Sequence, residues 1–255
     1  MEEKYRRQCH SRFRSPAGEV EKGKIFIKTQ NSLEGQSHAV ASKTCCIFGA
    51  GEYGNLGPVN TDNCLIIAAD GGYEELSKRG IAPDLLVGDF DSLSSVPRGV
   101  EIIRHPPMKD ETDMFLAAGE GIRRGCKRFK IYGGLGGRLD HTIANIHLLT
   151  WLANRGALGY LMGEGVTLTV IREAALRFEA GYTGLVSVFC AGAQAKGVTL
   201  TGLKYPLQNA QVECDFPIGV SNEFTGKEAL ISVKEGALLV SWIGNCGKPL
   251  PEICL

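Results

Sequence analysis

From Thr44 onward the chain alternates short apolar runs with glycine-marked turns and longer stretches of helical spacing. Cys45-Cys46-Ile47-Phe48 leads into Gly49-Ala50-Gly51, and Cys64-Leu65-Ile66-Ile67-Ala68-Ala69 into Asp70-Gly71-Gly72. Leu85-Leu86-Val87, Val100-Glu101-Ile102-Ile103 and Phe129-Lys130-Ile131-Tyr132 are runs of the same kind. Continuous apolar strands interleaved with helices predict a parallel sheet covered on both faces. Two helices are legible. Met114, Phe115, Ala118 and Ile122 recur at helical spacing up to Gly125, with Asp110 in the N-cap position. The second starts near Asp140, turns Ile143, Ile146, Leu149 and Trp151 toward a core, and ends at Gly156.

Beyond about Thr167 the texture changes. Leu168–Ile171, Leu185–Phe189, Val198–Leu200, Gln211–Cys214, Ala229–Val233 and Leu238–Trp242 are strand-like, separated by glycine, proline or asparagine, with no helix-length segment between them. Strands at roughly ten-residue spacing predict an antiparallel sandwich. The expected fold class is α/β, with a parallel, Rossmann-like domain over residues 44–162 and an all-β sandwich domain over residues 163–255. Residues 1–43 stand apart: they hold nine Lys/Arg against five Glu and one short apolar run, Ile25-Phe26-Ile27. Such a segment buries little surface and reads as a flexible or irregular extension.

Composition narrows the function. Lys+Arg and Asp+Glu balance at 28 each, which lacks the basic excess expected when nucleic acid is the main partner. Nine cysteines occur without a Cys-x-x-Cys; Cys64, Cys190 and Cys214 sit in apolar runs and read as reduced core thiols rather than disulfides or zinc ligands. No apolar run approaches the roughly 20 residues that span a bilayer. The start also lacks a signal peptide's apolar centre, so the expected setting is the cytoplasm, away from membranes.

The chemistry concentrates in acidic pairs. Gly88-Asp89-Phe90-Asp91-Ser92 ends one apolar run, Ala69-Asp70-Gly71-Gly72 ends another, and Lys109-Asp110-Glu111-Thr112-Asp113 opens a helix. In extended chain, residues two apart point the same way, so Asp89 and Asp91 can face one hard cation. Carboxylate oxygens suit Mg²⁺, which keeps waters and shares its remaining positions with substrate phosphates. In open α/β sheets ligands bind beyond the carboxyl ends of the strands, where Asp70, Asp89, Asp91 and Asp113 would converge. Each alone also reads as a turn or cap residue. Asp110 is explained by capping, and Lys109 reads either as a phosphate contact or as a solvated lysine.

A second feature is Gly133-Gly134-Leu135-Gly136-Gly137-Arg138-Leu139-Asp140-His141-Thr142. Glycines let backbone N–H groups approach an anion, and the helix N-terminus adds partial positive charge. Gly-Lys-Ser/Thr is missing, so this is not a Walker loop. Arg138 offers a fixed charge and Asp140 an acceptor for a ligand amine. His141 reads as helix surface or ligand contact, and His147 as a hydrogen-bonded core residue. Gly49-Ala50-Gly51-Glu52-Tyr53-Gly54 matches Gly-x-Gly-x-x-Gly, a weak match that leaves the Asp-x-Asp unexplained and reads as a nucleotide contact at most. No Gly-x-Ser-x-Gly elbow is visible.

Taken in order, these segments, with Pro83-Asp84 and Gly219-Val220-Ser221-Asn222-Glu223, resemble the thiamine pyrophosphokinase family over roughly residues 44–245. The resemblance implies an α/β catalytic domain, a β-sandwich that binds thiamine and dimerises, and transfer of the pyrophosphoryl group of ATP to thiamine, giving thiamine diphosphate and AMP. It implies that Asp70, Asp89, Asp91 and Asp113 are the Mg²⁺-site acids, with Asp113 also near the hydroxyl. Lys109, Gly136, Gly137, Arg138, Asp140, His141 and Thr142 belong to its ATP- and ligand-binding elements. Ser221 and Asn222, which alone would be an ordinary turn, help hold thiamine at the interface of a homodimer. A thiamine- or nucleotide-binding sensor of the same fold, or transfer to another small alcohol, are the alternatives.

Overall fold

Period-two alternation decides which layer covers which face of the central sheet. The computed structural model describes residues 43–254 except 55, 57–58, 90–98, 106–109 and 246. Six strands run parallel: β1 (Thr44–Phe48), β2 (Cys64–Ala69), β3 (Leu85–Gly88), β4 (Glu101–Arg104), β5 (Arg128–Tyr132) and β6 (Leu158–Met162), in the spatial order β6-β5-β1-β2-β3-β4. In β1, Cys45 and Ile47 face one side and join a core formed with Met114, Ala117 and Ala118 of α2 (Asp113–Arg123) and Leu148, Leu149 and Leu152 of α3 (Leu139–Ala153). Cys46 and Phe48 face the other side, against Leu76 of the preceding helix α1 (Gly72–Lys78). Strands buried on both faces have no polar side to spare, hence the uninterrupted apolar runs.

Beyond β6 the sheet continues with its direction reversed. β7 (Val166–Arg172), β14 (Ala237–Ile243), β9 (Leu185–Cys190) and β12 (Gly219–Glu223) add antiparallel strands, giving ten in the order β12-β9-β14-β7-β6-β5-β1-β2-β3-β4. Residues 162/163, the expected domain boundary, fall where β6 ends and the turn to β7 begins. That pair is in register Tyr160↔Thr169 and Met162↔Thr167, and the buried Thr169 hydroxyl donates to Gly159 O at 2.7 Å. A second antiparallel sheet, ordered β11 (Leu207–Glu213), β10 (Gln194–Thr201), β13 (Ala229–Ser232), β8 (Ala175–Phe178) and β15 (Glu252–Cys254), shares a core with the antiparallel half. Val198 and Leu200 of β10 join Val188, Val240 and Trp242 there, and the Phe178 ring meets Trp242 edge-on at 5.3 Å between centroids.

Several expectations are corrected by packing. The first predicted helix is capped by Thr112, whose hydroxyl accepts the Phe115 N–H at 3.2 Å, and not by Asp110. On α3, Ile143 is 46% exposed, and His147 is exposed rather than part of the core. The hydrophobic arc of α3 is narrow, so only Asn145, Leu148, Leu149 and Leu152 are buried. Ser221 and Asn222 lie within a strand, not an ordinary turn. Of the cysteines read as core thiols, Cys64 and Cys190 are half-buried and Cys214 is exposed, whereas Cys45, Cys46 and Cys126 are buried; all seven described cysteines are free.

Candidate active site

The chain leaves β1 outward through β2, β3 and β4, then returns to the other side of β1 as β5, so the strand order reverses between β1 and β5. At such a switch point the loops leaving neighbouring strands part and open a crevice. Here the two loops are joined at their base. Gly49 N–H donates to Tyr132 O and Gly51 N–H to Gly133 O, each at 2.9 Å, and Glu52 bridges Leu135. Gly133 has φ 63°, and a Cβ there would lie 2.6 Å from Gly49 O, so this approach excludes any side chain. Tyr53 ties the first loop back by donating its hydroxyl proton to Gly49 O at 2.7 Å.

Above this floor lies a cleft of about 530 Å³. Asp70 and Asp113 line it from one side, and Gly136, Gly137, Arg138 and His141 from the other. Asp70 follows β2 directly in the left-handed conformation (φ 46°), which Asp tolerates better than most residues, and its N–H donates to Val87 O at 2.9 Å. Immediately after it, Gly72 opens α1, where a Cβ would stand 1.9 Å from Phe48 O. Asp113 occupies the first turn of α2, where the helix dipole favours an anion. Arg138 precedes α3 in extended conformation and forks onto the Asp140 carboxylate, Nε at 3.1 Å and Nη2 at 2.6 Å. This pairing, with the His141 N–H, holds the Asp140 carboxyl below the usual carboxylate range and raises Arg138. Both side chains are exposed, so the pair is free to exchange Asp140 for a ligand anion.

Asp89 follows β3 beside Asp70, since Gly88 packs its α-carbon against the Asp70 backbone. It does not line the cleft, and neither do Asp140 and Thr142. Asp91 and Lys109 lie outside the described residues. Among the described residues no group of three or more His, Cys, Asp or Glu stands close enough to hold a metal ion. Two lining residues escaped sequence reading, Thr112 and Asn145, whereas Glu52 enters from the Gly49-to-Gly54 loop read as a nucleotide contact at most. Asn145 is 5% exposed and donates to Gly134 O at 2.8 Å, anchoring the glycine loop to α3. A polar residue on the apolar arc of a predicted helix was the available signal.

Ser221 and Asn222 lie elsewhere, on β12 at the edge of the ten-stranded sheet, five strands from β5. At ~4.8 Å per strand that separation is roughly 24 Å. A bulge in β12 puts Ser221 at φ 58°, an uncommon conformation for a residue with a side chain. Asn222 is 3% exposed; its amide oxygen accepts the N–H groups of Tyr205 and Glu223 at 2.9 Å, and its amide nitrogen donates to Tyr205 O at 2.7 Å. Those bonds hold Tyr205 with 56% of its surface exposed, beside a hollow of about 170 Å³.

A glycine-floored cleft with acids at the carboxyl ends of parallel strands defines an α/β protein built to bind a small, charged ligand. Two family models match in order: "Thiamin pyrophosphokinase, catalytic domain" over residues 58–158 and "Thiamin pyrophosphokinase, vitamin B1 binding domain" over residues 172–238. The chain belongs to the thiamin pyrophosphokinase family. It is 27% identical over 186 residues to the thiamine pyrophosphokinase of Bacillus subtilis, covering 70% of this chain and 87% of that one. The crystal structure of thiamine pyrophosphokinase from Bacillus subtilis superposes with a TM-score of 0.72 at 26% identity, covering 80% of this chain and all of that chain. That of thiamin pyrophosphokinase from Geobacillus thermodenitrificans gives 0.70 at 25%, covering 83% and 100%. The yeast thiamin pyrophosphokinase, at 15% identity and TM-score 0.64 over 88% of this chain and 94% of that one, shares the fold.

Proposed function

We infer that this chain is an enzyme that transfers the pyrophosphoryl group of ATP to the hydroxyl of thiamine, releasing AMP. The observation that carries this reading is the cleft at the β1/β5 switch point, where Asp70 and Asp113 face the glycine loop and Arg138. The glycine loop offers backbone N–H groups and the α3 N-terminus to the phosphates, and Arg138 exchanges Asp140 for a phosphate oxygen. The thiamine hydroxyl attacks the β-phosphorus; Asp113 orients it and accepts its proton as the bond to the AMP oxygen breaks. Positioning of this kind lowers the barrier by up to about 7–11 kcal/mol.

The donor chemistry fits Mg²⁺: Asp70, Asp89, Asp91 and Asp113 would supply only carboxylate oxygens, and such an ion completes its shell with phosphate and water. Held there, Mg²⁺ would offset the charge of the phosphates. Residues 44–162 then hold ATP and metal, while residues 163–255 bind thiamine and pair two subunits. In one chain Ser221, Asn222 and Tyr205 are too far from the cleft to share its ligand, so a partner subunit supplies them. No helix of the described residues is long and apolar enough to cross a membrane. Free thiols suit a reducing compartment, and we place the enzyme in the cytoplasm.

The test is AMP release with ATP, Mg²⁺ and thiamine, expected in equal amount to thiamine diphosphate. AMP formed without thiamine diphosphate, or none at all from folded protein, refutes the reading; a panel of other alcohols tests the choice of acceptor. The shared site is tested by mixing Asp91→Asn with Asn222→Ala subunits at a thiamine concentration low enough that neither parent turns over. Heterodimers of an isologous pair regain up to about half of their sites, whereas no recovery after confirmed exchange removes Asn222 from the partner's site.

A further inference from the structure

A second hollow, of about 590 Å³, opens on the other face of the ten-stranded sheet and shares no lining residue with the cleft. It has a simple origin. That face is covered by α1 at its parallel end and by the five-stranded sheet at its antiparallel end, and the two coverings leave a seam over β5, β6 and β7. On a strand, residues two apart point to the same face, so Arg128 and Lys130 of β5 both project into this seam, and Lys248 of the C-terminal segment lines it opposite. No Asp or Glu is among its described lining residues; Glu179 and Glu252 line a separate hollow of about 120 Å³ beside it. None of the three cations forms an ion pair among the described residues, and the only hydrogen bond among them runs from Lys130 Nζ to Asn60 O at 3.1 Å.

Three like charges around one hollow repel each other unless an anion joins them, and of the three Lys130 is half-buried. The rest of the lining is of another kind. Val166, Leu250 and Trp242 give it an apolar wall, and Trp242, 3% exposed, has no acceptor for its indole N–H among the described residues.

We propose that this seam is a second ligand site, which takes a small molecule carrying both phosphate and an aromatic ring: the phosphate between Arg128, Lys130 and Lys248, the ring against the apolar wall. The assignment is independent of the reaction proposed above. Its test uses the fact that the chain has two tryptophans. Trp151 lies on α3, under the Arg155 guanidinium and against Phe115, and serves as the internal reference.

In the nitrogen-15-labelled full chain, two indole N–H signals are assigned with Trp151→Phe and followed at low salt while AMP or thiamine diphosphate is added. The expected result is a saturable shift of the Trp242 signal with at least one of the two, the responsive compound identifying the ring that is preferred. In the double variant Arg128→Gln/Lys248→Gln, both exposed positions, the midpoint should rise at least tenfold with an unchanged circular dichroism spectrum. A Trp242 signal unmoved by both compounds, or a midpoint unchanged in the variant, overturns the proposal. Repeating the titration with Asp113→Asn separates the two sites: the Trp242 response must survive there.

Discussion

The parallel and antiparallel halves of the ten-stranded sheet hold their polar chemistry in opposite ways. In the parallel half it sits beyond the strand ends, on loops held by backbone hydrogen bonds such as Gly51 N–H to Gly133 O and by glycines that permit contact at Gly133 and Gly72. In the antiparallel half it sits within a strand, where a bulge turns Ser221 outward and one buried amide, Asn222, secures the Tyr205 segment. The first arrangement keeps its backbone shape when side chains change but not when a Cβ is added at Gly133 or Gly72. The second depends on one side chain. The difference follows from direction: parallel strands deliver several chain ends to one edge, whereas an antiparallel edge strand presents its own residues.

The comparison is broken most severely at the acids. Asp89→Asn and Asp113→Asn are expected to lower turnover by on the order of 10²–10³-fold, the scale of losing one electrostatic contact to a transition state, with thermal unfolding unchanged. Near-normal turnover at limiting Mg²⁺ in both folded variants would remove these residues from the site. Gly72→Ala tests the backbone-built half through stability. Its methyl meets the Phe48 carbonyl, so β1 and α1 must separate, at a cost of about 3 kcal/mol in chemical denaturation. A loss below about 0.5 kcal/mol, the scatter of surface changes, would show that this contact yields easily.

Asn222→Ala tests the other half. It strands the N–H and carbonyl of Tyr205 and the N–H of Glu223, for an expected loss of about 2 kcal/mol and a raised KM for thiamine. Asn222→Asp, which keeps the acceptor and loses the donor, should fall between.

The smallest effect lies far from both. Glu120 on α2 is bound by the Arg123 and Arg124 side chains, and those bonds, Arg123 first, hold its carboxyl below the usual range despite burial. A lowered folded value means that its stabilisation is present above the unfolded carboxyl range, near pH 4.3, and is lost as pH falls through the folded value. Glu120→Gln should therefore cost about 1 kcal/mol at pH 7, and the gap between the two melting curves should close on acidification below pH ~4. A constant gap from pH 7 to pH 3 would locate the effect in packing.

The sequence by itself determined the strands and the loops that carry charge. Apolar runs such as Cys64–Ala69 leave no other way to bury their side chains, and Asp70 or Gly133-Gly134 at their ends are local features readable without a fold. It also carried the ordered set of segments that resembles one family. Tertiary structure decided what depends on distance along no single segment. Which loops meet follows from the strand order β5-β1-β2, and so does the entry of Glu52 and Asn145 into the cleft. The exposure of Ile143 and His147 follows from how far α2 and the sheet wrap around α3, which helical periodicity does not specify. The distance between Asn222 on β12 and the cleft beside β5 follows from the four strands between them, because hydrogen bonding between strands sets spacing across a sheet while sequence sets only the order in which strands are made.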